Sequence, residues 1–404
     1  MQIITAKYIL TFQEDKPIMI DGAIAFDKKI VKVGKKEEIL KSFPDATIKE
    51  FKENYCLLPG LINTHIHLEY LANKTTLEYG EFVKWLKSVI KYQQKLMDRC
   101  DDKSIKQTVD MLLKTGTTTI GEISSFGLDI DVLKESKINV ILFNEVLGSS
   151  PEGVDLMYQN FLQRYQTTKS LADERFIPAI SVHSPYSTHP ILAKKALGLA
   201  KEDKTLVATH FMESRAEREW LDSGTGEFKE LLQKFNPYAK PLVTAKEYIY
   251  LFDEIKTLFV HNCFATDEEL KLIEEANHSI VTCPVSNRLL ENTKLDISKV
   301  KSYCVATDGL TSNISLNLWD ELRSALFVHD SIDIDLLSKE LLKSVTKVAG
   351  EALNLDKGIL KEGYDADMIV VELPDSFEDS ESIYKWLILH TKEVKESYIQ
   401  GEKI

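Results

Sequence analysis

Basic clusters are scarce in this chain. No run of Lys or Arg stands out, and 50 Lys+Arg face 63 Asp+Glu, a formal net charge of −13. Such a surface repels polyanions, so neither nucleic acid nor an anionic membrane is expected as a partner. A small anionic substrate remains open, because local charges decide that. Long apolar runs are missing too, and none approaches the ~18 residues of a membrane span. The opening MQIITAKYILTF has no basic segment followed by a long apolar core, so no signal peptide is expected. The five cysteines, Cys56, Cys100, Cys263, Cys283 and Cys304, are odd in number and lack C-x-x-C spacing. They read as reduced thiols of a soluble, cytoplasmic protein, not as a disulfide framework. No internal repeat or low-complexity segment argues for a solenoid.

What is present is an ordinary globular composition, 44% hydrophobic and 28% charged over 404 residues. Residues 1–55 alternate apolar and polar positions in short runs (IITAKYIL, IMIDGAIAF, KKIVKVG, ATIKEF), with Asp21–Gly22 and polar clusters separating them as in hairpins. Residues 358–404 repeat this texture. Neither end can bury both faces of a sheet alone, so the two are expected to build one small β-sandwich around an inserted domain, residues 56–357. Within the insert, eight short apolar segments read as strands: CLLPGLINTHIH, TTTIGEIS, NVILFNEV, FIPAISVHS, LVATHF, TLFVHNC, SIVTCP and YCVATDG. Helical stretches separate them. One, TDEELKLIEEA, opens with Thr266 and has Glu269 three residues on, a capping-box pattern. Eight such units over roughly 250 residues make the expected fold class α/β, a (β/α)8 TIM-type barrel. Insertions at 69–103 and 211–250 leave from strand C-termini and are candidate lids; the first is expected to be helical.

His65 and His67 stand at alternate positions of the first barrel strand and therefore face one side. Paired histidines also occur on surface strands, so the pair alone decides nothing. Reading the last residues of the other strands adds His183, His210, His261 and Asp308. Barrel enzymes keep their active sites at strand C-terminal ends. Five of nine histidines end strands this way, which scattered core histidines would not do. The group reads as a metal site. His189 and His278 read as helix-cap or surface residues, His329 and His390 carry no role, and Cys263 and Cys283 read as packing groups. For Trp85, core packing and a substrate wall both stay open.

These segments carry a family resemblance. LPGLINTHIH, HFMES, HNCFATDEEL, CPVSNRLL and ATDGLTSNISLNLWDELR, with the terminal GILKEGYDADMIVVE, resemble the amidohydrolase superfamily, most closely its mononuclear deaminase and chlorohydrolase branch. The resemblance spans essentially the whole chain. It implies one divalent metal, Zn²⁺ or alternatively Fe²⁺, held by His65, His67, His210 and Asp308. Binuclear members use a carboxylated lysine, and the fourth strand ends in Ser181, Val182 and His183 instead. It also implies a metal-bound hydroxide as nucleophile, with Asp308 taking the water's proton, Glu213 as general acid and His261 stabilising the developing charge. His183 and Trp85 would contact substrate, as would Glu213.

HLEYLANKTTLEYGEFVKWL resembles the corresponding stretch of aminofutalosine deaminases of menaquinone biosynthesis. Those remove the 6-amino group of an adenine nucleoside bearing a carboxyphenyl ketone, yielding futalosine and ammonia by attack at purine C6. Arg215 or Arg288 is expected to meet that carboxylate. One departure concerns the ribose: related deaminases of S-adenosylhomocysteine or methylthioadenosine carry a Pro and a Glu after Trp-Leu, where this chain has Gln93–Gln94. Deamination of those nucleosides, guanine or cytosine, triazine chlorohydrolysis, and a non-catalytic binding role are the rival expectations. Relatives of the branch are often dimers or larger, so a homo-oligomer is expected.

Overall fold

The computed structural model describes residues 1–404 apart from 52–53, 72–74, 99, 235 and 376–381. The N-terminal segments form β1 (Gln2–Leu10), β2 (Ile18–Phe26), β3 (Ile30–Lys35), β4 (Thr47–Glu50) and β5 (Tyr55–Pro59). Then come β6 (Leu61–His67), β7 (Thr117–Ser124), β8 (Asn139–Val146), β9 (Phe176–Val182), β10 (Val207–Phe211), β11 (Thr257–His261), β12 (Ser279–Thr282), β13 (Cys304–Val305) and β14 (Asp308–Gly309). The C-terminal segments supply β15 (Met368–Glu372), β16 (Glu396–Ile399) and β17 (Glu402–Lys403).

Both chain ends meet in one eight-stranded sheet, ordered β17-β16-β15-β5-β1-β2-β3 with β4 also on β1. The strand expected over CLLPGLINTHIH is in fact two. Cys56–Pro59 pairs with β15 in the terminal sheet, and only Leu61 onward enters the barrel. The break falls at Gly60, where a Cβ would lie 2.1 Å from Thr118 Oγ1, so the chain crosses between sheets where no side chain fits. Asp21–Gly22 is not a hairpin turn. It lies inside β2, where Gly22 pairs with Ala6 and the Asp21 carboxylate accepts from Lys7 Nζ at 3.1 Å. The turn sits instead between Thr11 and Pro17, closed by a 2.9 Å backbone hydrogen bond.

The other sheet runs β6 through β13 in sequence order, all parallel, and β14 pairs back onto β6. β13 and β14 are two halves of the eighth barrel strand, so the sheet closes on itself. At the interruption, Asn63 Nδ2 donates to Thr307 Oγ1 at 2.7 Å and Thr307 N donates to Asn63 Oδ1 at 3.2 Å, replacing ladder bonds by side-chain ones. Helices such as Asp102–Lys114, Val154–Ser170 and Pro190–Asp203 pack on the outside of β7, β8 and β9. The helix Asp267–Glu275 begins with the reciprocal capping box of Thr266 and Glu269.

Between Glu69 and Gly80 no helix forms among the described residues, and 72–74 and 99 of the expected helical insertion lie outside them. The helix there runs from Phe82 to Met97. Among the described residues no helix is long and apolar enough to cross a membrane.

Where the terminal sheet meets the barrel, Lys357 is 4% exposed and donates to Asp365 Oδ2 at 2.7 Å and Asp367 Oδ2 at 2.6 Å. Asn139 Nδ2, at the start of β8, also donates to Asp367 Oδ2 at 2.8 Å, and Gln400 N donates to Asp367 Oδ1 at 2.7 Å. The sheets are thus joined by a buried charge group whose members each have partners.

Candidate metal centre and cavity

The C-terminal ends of the barrel strands bring together the polar residues their apolar bodies cannot bury alone. From β6, His65 and His67 point to one side, with their Nε2 atoms 3.2 Å apart. Asp308 on the neighbouring β14 lies opposite Ile66, and its Oδ1 is 3.6 Å from His65 Nε2 and 3.3 Å from His67 Nε2. Ligand atoms of His65, His67 and His210 all fall within 4.8 Å of one another. Two ligands on one metal at Zn–N lengths of about 2.0–2.1 Å stand roughly 3.3–3.4 Å apart at tetrahedral angles. The spacing of three donors here fits the edges of such a polyhedron, and the donor set of imidazole and carboxylate suits a borderline divalent cation.

Protonation states agree with that fit. Burial, followed by the neighbouring His65, pushes the His67 imidazole down to about 4. Burial likewise lowers His210 well below its ordinary value, with His183 adding to the effect. Both rings are neutral at pH 7, as ligands must be. His210 Nδ1 donates to the His183 carbonyl at 2.9 Å, which leaves Nε2 with its lone pair. Burial works to raise the Asp308 carboxyl, but hydrogen bonding to His65 and the adjacent imidazoles outweigh it and hold it well below the usual range. Ser286 Oγ and Ser312 Oγ both donate to Asp308 Oδ2 at 2.7 Å, turning Oδ1 towards the histidines. Sequence reasoning missed both serines. His261 and Asp308 take φ of +76° and +59°, conformations that cost non-glycine residues energy and gather at functional sites.

Glu213, His261 and Asp308 form a second set of ligand-type atoms within 4.8 Å. Burial first, then Asp308 and Glu217, push the Glu213 carboxyl well above the carboxylate range, which favours its protonated form. The backbone N–H groups of Met212 and Glu213 donate to Glu217 at 3.0 and 2.9 Å, fixing the turn that presents Glu213. His261, lowered by burial to about 4, donates from Nδ1 to Asn287 Oδ1 at 2.9 Å. Its Nε2 is buried without a hydrogen-bond partner and lies 3.5 Å from Glu213 Oε1. An unpartnered buried nitrogen aimed at a carboxyl and a ligand cluster is costly unless something binds there.

These groups form the floor of a cavity of about 660 Å³. The helix Phe82–Met97 contributes Trp85 and Gln93 to its walls, and the insertion after β10 contributes Phe228 and Leu231. Both insertions thus line the cavity. Trp85 is in the wall, its Nε1 donating to the Thr311 carbonyl at 2.8 Å. His183 also lines it, with Nδ1 in contact with Ser187 Oγ at 2.6 Å. Of the Gln93–Gln94 pair, Gln93 faces the cavity, whereas Gln94 donates to Asp98 outside it.

Glu145 was missed in the sequence, although it is the second-last residue of β8 and meets the same strand-end criterion. It lines the cavity and shares a ligand-type cluster with His183 and His210. Glu69 is not in the lining. It accepts from the N–H groups of Ser125, Phe126 and Leu128 at 2.6 to 3.1 Å and so pins the loop after β7. Arg215 and Arg288, expected near a substrate carboxylate, do not line the cavity; Arg215 lies over the Phe264 ring. The cation that does is Arg164, from the helix Val154–Ser170. His189 caps a helix, accepting from Ile191 N at 3.2 Å. His278 is neither cap nor surface residue but is 7% exposed against Phe259, because the turn after the helix Asp267–Glu275 folds it under the barrel.

A profile of the amidohydrolase family matches residues 56–402. Among curated proteins, an aminodeoxyfutalosine deaminase of Nitratiruptor sp. is 46% identical over 405 residues, covering 100% of this chain and 99% of that one. An adenosine deaminase of Helicobacter pylori is 36% identical over 412 residues, with 100% and 99% covered. The crystal structure of Helicobacter pylori aminofutalosine deaminase in complex with methylthio-coformycin superposes with a TM-score of 0.95 at 35% identity, covering 100% of both chains.

Proposed function

The chain belongs to the amidohydrolase family, and from that premise we propose that it is a hydrolytic deaminase of adenine nucleosides whose preferred substrate is aminodeoxyfutalosine. The observation that carries this reading is the 46% identity to an aminodeoxyfutalosine deaminase along the full length of both chains. The cavity supports it: at about 660 Å³ it far exceeds what a free base such as guanine or cytosine would fill, and suits a nucleoside with a large 5′ substituent. On the same reading the barrel is the catalytic unit, beginning at Leu61 and not at residue 56 as expected and running to residue 357, and residues 1–60 with 358–404 are its composite companion.

His65, His67, His210 and Asp308 are assigned as the metal ligands, with Zn²⁺ favoured by the imidazole-rich set. A divalent cation held by these residues would contribute Lewis acidity, lowering the pKa of a water towards ~7 so that a hydroxide is available at neutral pH. The chain's own residues do the rest. Glu213, kept protonated by burial, donates to the purine ring nitrogen beside C6, which makes C6 the electrophile. His261, neutral and with Nε2 bare, orients the incoming oxygen by accepting its hydrogen. Asp308 accepts the proton released as the C6–O bond forms. Returned to the amino nitrogen, that proton lets ammonia leave as the C6–N bond breaks, while the proton left on the C6 oxygen restores Glu213 and a C6 carbonyl forms, with one water consumed. Trp85 and His183 hold the nucleoside against the floor. The test is ammonia release by the zinc-loaded protein from aminodeoxyfutalosine, adenosine, S-adenosylhomocysteine, guanine and cytosine. The highest kcat/KM is expected for aminodeoxyfutalosine; no ammonia from any purine nucleoside contradicts the reading.

A further inference from the structure

Apart from its histidines, the cavity lining contains one basic side chain among the described residues, Arg164. Met157, Asn160 and Arg164 lie on one face of the helix Val154–Ser170, at spacings of three and four, and all line the cavity. The Arg164 guanidinium is held by backbone alone: Nη2 donates to the Glu145 carbonyl at 2.6 Å and Nη1 reaches the Asn160 carbonyl at 3.4 Å. Its Nε–H is buried without a partner. Its stem lies against Gly127, where an added Cβ would stand 3.3 Å from Arg164 Cδ. Gly127 belongs to the loop that Glu69 pins through three backbone N–H groups, so the arginine is braced from both sides.

A purely structural role as counter-ion to the nearby acids fits poorly. Glu69 has its oxygens taken by the N–H groups of the loop, Asp129 Oδ1 accepts from Ser124 Oγ at 2.6 Å while its Oδ2 is buried without a hydrogen-bond partner, Arg164 included, and Glu145 accepts from Ser125 Oγ at 2.5 Å and Ser181 Oγ at 3.3 Å. Among the described residues none of these carboxylates hydrogen-bonds to Arg164. A guanidinium with five donors, only two of them engaged and both by neutral carbonyls, is prepared for an anion. The surroundings restrict which one. Phe126, Leu147 and Met157 make the adjoining wall apolar, and Tyr70 stands edge-on to Phe126 with ring centroids 6.1 Å apart. One cation beside several buried acids suits a singly charged group, not a phosphate dianion.

We infer that Arg164, with Phe126 and the Met157–Asn160 face, forms a subsite for a carboxylate carried on a flat apolar group, and that this subsite selects the distal part of the substrate. The inference rests on the deaminase reading above. Its test compares kcat/KM for aminodeoxyfutalosine, its carboxylate methyl ester and 5′-deoxyadenosine in the wild type, Arg164→Gln and Arg164→Lys. In the wild type, esterification lowers kcat/KM by about 10- to 100-fold, mostly through KM, as expected for losing a hydrogen bond between charged groups. Arg164→Gln lowers the preference for the free acid over 5′-deoxyadenosine by a similar factor, and Arg164→Lys restores part of it. Equal values for acid and ester in the wild type overturn the subsite. So does a loss of equal proportion for both nucleosides in Arg164→Gln, the signature of a structural counter-ion. No ammonia from any of the three overturns the deaminase reading and the subsite with it, whereas ammonia from all three without an ester effect removes the subsite alone.

Discussion

At the sheet-facing end of the barrel, the charges of Lys357, Asp365 and Asp367 are all paired, and Asn139 Nδ2 and Gln400 N donate to Asp367 as well. At the opposite end, His65, His67, His210, Asp308, Glu213 and His261 bring together six titratable groups against three, and His261 Nε2 is buried without a partner. Donors at the first end meet acceptors. At the second, nitrogen lone pairs and a carboxylate oxygen converge on one point, an arrangement that is costly unless a cation takes it up. The paired cluster holds the terminal sheet to the barrel; the unpaired one is organised for chemistry. His278 sharpens the contrast. It too is buried, neither ring nitrogen has a well-aligned partner, and only a weak contact with the Ile255 backbone offsets its burial. It lines no cavity described here and faces no ligand set, so its missing partners burden stability without serving a reaction.

Changes at the unpaired end should therefore remove turnover and spare the fold. Glu213→Gln keeps shape and metal but cannot donate its proton, and roughly a 10²- to 10⁴-fold fall in kcat is expected, with the melting temperature unchanged or raised. Full activity in this variant would take Glu213 out of the mechanism. Lys357→Met should do the reverse. Removing the cation leaves the buried Asp367 without a charged partner, although Asp365 keeps Lys29, and is expected to cost about 3–5 kcal/mol in urea unfolding, while kcat stays at the wild-type value where the variant is folded. A loss of kcat without a loss of stability would erase the distinction between the two ends.

The smallest effect expected is at His278. Its imidazole is pushed from 6.5 to about 4, chiefly by burial. Between those values the unfolded chain takes up a proton that the folded one refuses, so this stability is present above pH 6.5 and is lost as pH falls towards 4. At about 1.4 kcal/mol per unit, the penalty at pH 5 is roughly 2 kcal/mol. His278→Phe, packing on Phe259, should shrink the difference in unfolding free energy between pH 8 and pH 5 by about that amount. An unchanged difference would mean that His278 is not held neutral.

The barrel was legible because its strands are buried on both faces and so read as apolar segments between helices. Closure brought all strand ends to one rim, and that alone made His65, His67, His183, His210, His261 and Asp308 a group. Other features had no comparable signal. Ser286 and Ser312 sit in loop and helix positions where serine is common, and only folding places both hydroxyls on Asp308 Oδ2. Arg164 is mid-helix, nineteen positions beyond the carbonyl of Glu145 that it reaches. Glu145 did have a signal, its place at the end of β8. Asp21–Gly22 misled because its local turn preference yields to pairing along the whole of β1. The substrate's distal contact was sought among arginines just beyond the rim strands, Arg215 and Arg288, whereas the cavity takes its cation from a helix on the barrel's outer layer.

The contrast between the two ends rests on one claim, that His65, His67, His210 and Asp308 together hold a divalent metal. Its most direct test is the metal content of the purified, reconstituted protein, by inductively coupled plasma mass spectrometry, beside that of the His65→Ala/His67→Ala variant. About one equivalent per chain is expected in the wild type and a small fraction of that in the variant, with both proteins equally folded. Equal metal in the two, or none in the wild type after reconstitution, would contradict the account.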